Sequence, residues 1–406
     1  MYHSRIDYDE RMRIHDTWFG GRRVTIDIRD GRVHALGPPS PAEDDVTLSG
    51  GMVCPHFAEP HVHLDATQLG ARRPNRSGTL FEGIDNWASL RASVDAEDVR
   101  RRALKTVRWY VQHGTTRIRT HVDTGSMIAA RALIALREEL KDASLLGMPI
   151  QLEVVAFPQE GILTDPEREA DWRAVVELGC DAVGCIPHYE ASHEAGDETV
   201  RMCFDLAQDH DLKVDLHCDE TDDPAWRALL AVCSETERRG MGGRVVAGHC
   251  TAMHSWPDAL AEEACARVAG SGVQVVTNPL DNIVLQGRQD RYPKRRGLTR
   301  VDELWAAGAI VGIGHDSVVD PWYRLGTANM LDPAYMLVHA GHLTGEAEMI
   351  RVFQTLHIEN HLPFGDSPAL TPGESADFLW FQAADPIEAL RTRQPPRVFY
   401  RGEEIT

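Results

Sequence analysis

The chain has 406 residues, 42 Lys+Arg against 62 Asp+Glu, and a formal net charge of −20 at pH 7. With 43% hydrophobic residues it has the composition of a folded globular protein with a large core. The acidic balance argues against a nucleic-acid partner, which needs a basic face, and no run of roughly 18 apolar residues offers a membrane span.

The N-terminal stretch MYHSRIDYDERMRIHD is too charged for the apolar centre of a signal peptide. Cys54, Cys180, Cys185, Cys203, Cys218, Cys233, Cys250 and Cys265 are scattered without a CxxC pair, so they read as small buried hydrophobes in a reducing cytoplasm. In chain order, residues 23–50 read as short strands and turns, and RRVTIDIRDGRVHALG carries an Asp30-Gly31 hairpin signal. From about residue 52 to 360, β-branched runs alternate with helical patterns. The strands are expected at Met52–His56, Arg117–Val122, Ile150–Ala156, Ala182–Ile186, Lys213–Leu216, Arg244–Ala247, Val273–Thr277 and Ala309–Ile313. Between them lie amphipathic segments such as Ala96–His113, Ile128–Lys141, Glu198–Asp209, Pro224–Glu237 and Ser255–Ala269.

Such alternation implies a parallel sheet, and eight strands point to an α/β fold closed as a (β/α)8 TIM barrel, an open doubly wound sheet being the alternative. Residues 371–406 return to short strands, DFLWFQ and RVFYRGEEI, separated by a Pro-rich turn. The expected organisation is a small β-sandwich formed from both chain ends, 1–55 and 363–406, flanking a catalytic barrel at 56–362.

Polar residues gather where the strands end, the face on which barrel enzymes build their sites. His61 and His63 face the same way in an extended chain, so both imidazoles can reach one ion. With 19 histidines, chance alone supplies about one such pair. His217 after the fifth strand and Asp316 after the eighth raise its value. Three imidazoles and a carboxylate form a ligand set for Zn2+ or Fe2+ that leaves a position for water. The only lysines are Lys105, Lys141, Lys213 and Lys294, so the end of strand 4, CIPHYE, has none to bridge two metals; a single ion is expected. His188 on that segment reads as a satisfied structural histidine, with an extra polar residue lining the site as the alternative. Glu220, three residues past His217, can move a proton between water and a ring nitrogen, while Asp219 beside it reads as an exposed loop acid. His249 can position or deprotonate the attacking water, and Asp316 can both ligate and accept a proton.

PHFAEPHVHLD, SGTLFEGI, VAFPQEGIL, VDLHCDE, TAMHS, YPKRRG and GHDSVVDPWYRLGTANM run in order from about residue 50 to 345. Together they resemble the bacterial cytosine deaminase branch of the amidohydrolase superfamily. The resemblance implies a barrel with a β-sandwich and one Fe2+ or Zn2+ held by His61, His63, His217 and Asp316. It implies that Gln159 bonds the pyrimidine amide edge, that the Leu80 carbonyl faces the ring, and that Trp322 walls the pocket. It further implies Glu220 as proton shuttle, His249 beside the attacking hydroxide, and a cyclic homo-oligomer. One position departs from the pattern: the cytosine enzymes carry two adjacent aspartates after strand 8, whereas this chain has Asp316-Ser317. A serine leaves room where a carboxylate would crowd a methyl group. The expected activity is therefore hydrolytic deamination of a free 5-substituted cytosine, 5-methylcytosine to thymine plus ammonia, in a cytoplasmic enzyme with a small pyrimidine base as partner. Plain cytosine, isoguanine or another ring are the alternative substrates.

Overall fold

The computed structural model describes residues 11–40 and 48–405; the first ten residues, the larger part of the charged N-terminal stretch, lie outside them. Five strands come first: β1 (Arg11–Phe19), β2 (Arg22–Arg29), β3 (Arg32–Gly37), β4 (Leu48–Ser49) and β5 (Met52–Cys54). The β2–β3 hairpin turns at Asp30-Gly31, both at positive φ (52° and 69°), which a two-residue loop requires and this pair tolerates.

Eight parallel strands follow, alternating with helices: β6 (Phe57–Val62), β7 (Thr115–Asp123), β8 (Gln151–Phe157), β9 (Ala182–Val183), β10 (Lys213–Cys218), β11 (Val245–His249), β12 (Gln274–Thr277) and β13 (Val311–Ile313). Each pairs with its sequence neighbour, in the order β13-β12-β11-β10-β9-β8-β7-β6. Between the first and last strands a single parallel bridge, Val62 to Asp316, replaces a ladder. The seam is completed by a side chain: Asn360 Nδ2 donates to Ala58 O and Ile313 O, and its Oδ1 accepts the Ile313 N–H, all at 2.8 Å. The sheet is a barrel, as expected.

The remaining strands, β14 (Phe378–Phe381), β15 (Arg397–Tyr400) and β16 (Glu403–Glu404), join those from the N-terminal end in one mixed sheet. Its order is β16-β15-β14-β5-β1-β2-β3, with β4 also beside β1. The two-residue side-chain period divides its faces. Met52, Cys54, Leu379 and Phe381 join the barrel core, while Val53 and Phe378 face a separate cluster with Ile14, Ile26 and Phe399. There the Phe378 and Phe399 rings stack at 4.6 Å.

Two local expectations are corrected. Met52–His56 is not the first barrel strand: Met52–Cys54 pairs antiparallel with β14, and the barrel begins at Phe57–Val62. Buried Glu59 and Pro60 break the apolar run there and disguise the strand. The link between β14 and β15 is also more than a turn, since it contains the helix Pro386–Thr392, capped by Asp385 accepting the Glu388 N–H. All eight cysteines are free and buried. Among the described residues no helix is long and apolar enough to cross a membrane.

Candidate active site

Each candidate residue follows from where a barrel strand stops. His61 lies inside β6 and His63 just past it; His217 is the penultimate residue of β10, and His249 the last of β11. Asp316 follows β13, and Glu220 follows β10. Gly314, before this turn, has no room for a Cβ, which would collide with the Asn278 side chain and His61. The chain leaves several strands through left-handed backbone, with Asp219 at φ 50°, His249 at 65° and Asp316 at 67°. Such conformations are rare outside glycine and cluster where a site dictates the turn.

These strand ends bring the four sequence-predicted ligands together. His63 Nε2 lies 3.1 Å from His217 Nε2, and Asp316 Oδ1 is 3.5 Å from His63 Nε2 and 3.7 Å from His61 Nε2. Three overlapping ligand groups share His61, namely His61-His63-His217, His61-His249-Asp316 and His61-His121-Asp215, the last with His121 from β7, and each has its donor atoms within 4.8 Å of one another. Burial, reinforced by neighbouring imidazoles, holds His61 and His217 well below the usual histidine pKa, and burial does the same for His63. They are therefore neutral, the form that binds metal. Both His61 ring nitrogens and His217 Nδ1 are buried without a hydrogen-bond partner. Three neutral imidazoles with unused lone pairs and one carboxylate fit a single divalent ion of the zinc or ferrous type.

The surrounding contacts hold the ligands in place. Glu59 accepts the His61 N–H at 2.9 Å, the His315 N–H at 3.1 Å and the Tyr110 hydroxyl at 2.8 Å, so one buried carboxyl ties β6 to β13 beneath the ligands. The His217 ring stacks on Phe157, centroids 3.9 Å apart, and Trp322 lies 5.8 Å from His63. Trp322 packs against Gly83, where a Cβ would clash with its ring.

Glu220 is buried, with Oε1 3.4 Å from His249 Nδ1, and burial pushes its carboxyl up to about 8. His249 also meets Asn282 Nδ2 at 3.0 Å, and Asp316 Oδ2 lies 3.9 Å from its Nδ1. Gln159 sits two residues past β8 on a turn fixed by its neighbour: Glu160 pairs with Arg91 at 2.5 Å and Arg168 at 3.0 Å. Leu80 opens the helix Leu80–Arg91, capped by Thr79.

Gln159, Leu80, Ser317, Trp322, Glu220 and His249 all line one inner cavity with His63, His217 and Asp316. That cavity adjoins an outer one of about 310 Å³, which shares Leu80, Gln159, Glu220 and Leu285 and adds Phe81, Tyr189 and Arg288. Every residue singled out from the sequence as ligand, catalyst or substrate contact is at this end of the barrel. His315 is not a ligand: its ring nitrogens face Ser317 O and the Thr327 N–H.

Two sequence readings fail here. Asp219 is not exposed; it is fully buried and accepts the Ala228 and Leu229 N–H groups at 3.0 Å, capping the helix Ala228–Arg239. His188 is not satisfied: neither ring nitrogen has a partner, and the ring lines the outer cavity with burial pushing its pKa down to about 3. Two residues went unseen. Glu59 has no motif signal, being an acid inside a strand. Asp281, also in the inner cavity, follows β12 in TNPLDN, and the strand-end rule that picked out the others would have found it.

The sequence pattern of the Amidohydrolase family matches residues 90–379. The chain belongs to this family. The amidohydrolase is 37% identical to the 5-methylcytosine deaminase of Klebsiella pneumoniae, solved liganded with 5-fluorocytosine, with a TM-score of 0.91 and 97% of each chain covered. It is 30% identical to a pterin deaminase of Rhizobium rhizogenes (strain K84) over 95% of this chain and 88% of that one. It is 26% identical to an N-isopropylammelide isopropyl amidohydrolase of Pseudomonas sp. (strain ADP), covering 86% and 84%. Amidohydrolases are metal-dependent, in keeping with the His/Asp cluster, and this one is a hydrolase of C–N bonds of the deaminase type.

Proposed function

We propose that this amidohydrolase deaminates a free cytosine-type base and prefers one substituted at ring position 5, converting 5-methylcytosine to thymine and ammonia. The observation that carries the reading is Ser317, a small residue lining the inner cavity immediately after Asp316. The resemblance described above puts a second aspartate at this position in cytosine enzymes. The likeness to a 5-methylcytosine deaminase over 97% of the chain supports the same substrate class.

One Fe2+ or Zn2+, held by His61, His63, His217 and Asp316, supplies a water activated for attack when it is bound. Gln159 bonds the amide edge of the base, the Leu80 carbonyl faces the ring, and Trp322 covers one wall. Glu220, whose buried carboxyl keeps its proton up to about 8, gives it to ring nitrogen N3. His249, fixed by Asn282, orients the attacking water and receives its proton together with Asp316. Hydroxide adds at C4, the proton taken from the water passes on to the exocyclic amine, which departs as ammonia, and the remaining hydroxyl returns its proton to Glu220 as the carbonyl forms.

A second reading, deamination of a fused bicyclic ring such as a pterin, is favoured by the outer cavity of about 310 Å³ beside the reaction pocket. Ammonia release from cytosine, 5-methylcytosine, isoguanine and pterin, each with Fe2+ and with Zn2+, separates these readings. The expected result is the highest kcat/KM with 5-methylcytosine among the four, and a shift of about 10- to 200-fold towards cytosine in Ser317→Asp. A wild type that favours cytosine over its 5-methyl derivative rejects the position-5 preference, and one that favours pterin establishes the bicyclic reading.

A further inference from the structure

The inner cavity contains a carboxyl that no role above uses. Asp281 lies in the helix Pro279–Leu285 after β12 and is completely buried. Its Oδ2 accepts the Ser317 N–H at 3.2 Å, whereas its Oδ1 has no hydrogen-bond partner. Buried acids elsewhere are satisfied in one of two ways: Asp215 and Glu153 share Arg119 and Asp98 pairs with Arg102, while Glu59 and Asp219 accept N–H or O–H donors at their carboxylates. Burial, reinforced by Asp320 and Glu220, holds the Asp281 carboxyl well above the ordinary range, and Asp316 is a further acid within its field.

A buried polar atom in a native protein nearly always has a partner. Asp281 lines the inner cavity, so a ligand that fills it can bring Oδ1 a partner. In the pose proposed above, with C4 towards Asp316 and N3 towards Glu220, the other neighbour of C4 lies on the side of Ser317, whose N–H Asp281 accepts. In a cytosine that neighbour is C5. We infer that Asp281 is a specificity-determining residue that hydrogen-bonds a hydroxyl on the C5 substituent, so that 5-hydroxymethylcytosine is the better substrate of the 5-substituted class.

The inference rests on the deaminase reading above and sharpens its substrate. A hydroxyl both donates and accepts, so it pairs with Oδ1 whether or not the carboxyl carries a proton. A methyl group occupies the same room and leaves Oδ1 unpaired. The reaction is otherwise unchanged: water adds at C4, ammonia leaves, and the hydroxymethyl group passes intact into 5-hydroxymethyluracil.

The test compares kcat/KM for 5-hydroxymethylcytosine and 5-methylcytosine in wild type, Asp281→Val, Asp281→Ala and Asp281→Asn, with bound metal measured for each. The wild type is expected to favour the hydroxymethyl base by about 10- to 100-fold, since a site built around a hydroxyl rejects the analogue lacking it. Val and Ala should bring the ratio to one or below, and Asn should keep most of it. A wild-type ratio of one or less overturns the inference. So does an unchanged ratio in the Val and Ala variants, which would leave Asp281 only an anchor for the Ser317 backbone. Calorimetric binding of 5-hydroxymethyluracil and thymine to the same proteins is read independently of turnover. If no cytosine releases ammonia but 5-hydroxymethyluracil binds more tightly than thymine, and loses that advantage in Asp281→Val, the deamination reading fails while the Asp281 assignment stands. Equal binding of the two overturns the assignment.

Discussion

The same strands carry two buried polar clusters of opposite character. Two residues before His121 and His217, Arg119 on β7 and Asp215 on β10 face each other inside the barrel. Arg119 donates to Glu153 at 2.6 Å, to Asp215 at 2.8 Å and to Pro363 O at 2.5 Å, and Lys213 adds 2.8 Å bonds to Glu153 and Pro363 O. Each charge in this lower cluster meets an opposite one. One step along the strands, His61, His217 and Asp281 keep buried nitrogens and oxygens without partners, and the carboxyls of Glu220, Asp281 and Asp316 face one another and histidines rather than an Arg or Lys side chain. Both clusters are buried, with Lys213 partly exposed at the edge of the lower one. What marks the upper cluster is unfinished bonding at the edge of a cavity, because leaving a buried polar group unpaired has a cost that a ligand or water entering there relieves.

The sharpest way to break this contrast is at Glu220. Glu220→Gln removes the proton without removing the side chain, and kcat is expected to fall by about 10²- to 10⁴-fold with metal content and unfolding midpoint near those of wild type. A metal-loaded variant with near-normal turnover would take Glu220 out of the reaction. In the lower cluster the effect reverses. Arg119→Met leaves Asp215 buried without its cation and Glu153 with Lys213 alone, so urea denaturation should show a loss of about 3–5 kcal/mol. A loss under about 1 kcal/mol would mean that the lower charges are no better settled than the upper ones.

The smallest expected effect lies at the seam between barrel and end sheet, where groups are paired yet neutral. His56 Nε2 meets Phe399 O at 2.9 Å, and burial lowers its pKa from 6.5 to about 4. The unfolded chain thus takes up a proton at higher pH than the folded one. The contribution is complete above about 6.5 and is lost as the pH falls towards 4, amounting to about 2 kcal/mol by about pH 5. Urea midpoints of wild type and His56→Gln between pH 7 and 5 should converge as the pH falls. Parallel curves would show that His56 does not titrate in this range.

Most of the upper cluster could be read from the chain, because a polar residue at the end of an apolar strand is conspicuous. His61, His63, His217, His249 and Asp316 all stand out in this way. What stayed hidden was direction and pairing. Asp219 and Glu220 are neighbouring acids of equal appearance, yet left-handed backbone at Asp219 turns its carboxyl onto helix N–H groups while Glu220 faces the cavity. The lower cluster was invisible, since Arg119, Glu153 and Asp215 become partners only when β7, β8 and β10 curve into the barrel, with β9 between the last two. The first barrel strand was misplaced for a related reason: Glu59 spoils its apolar pattern, and its use appears only when His61, Tyr110 and His315 converge on it.

The end sheet imposes an order on the birth of the protein. β5 lies between β1 and β14, with Cys54 opposite Leu379, so a strand made early in synthesis completes its pairing only with one made near the end. Contacts so distant along the chain form slowly, because a long loop must close before they stabilise anything. Until Phe378–Phe381 leaves the ribosome, β5 presents an unpaired edge and the apolar side chains of β1 and β2 lack half of their cover. A chain truncated before residue 378 would thus carry the whole metal-ligand set and an open, adhesive sheet edge beside it.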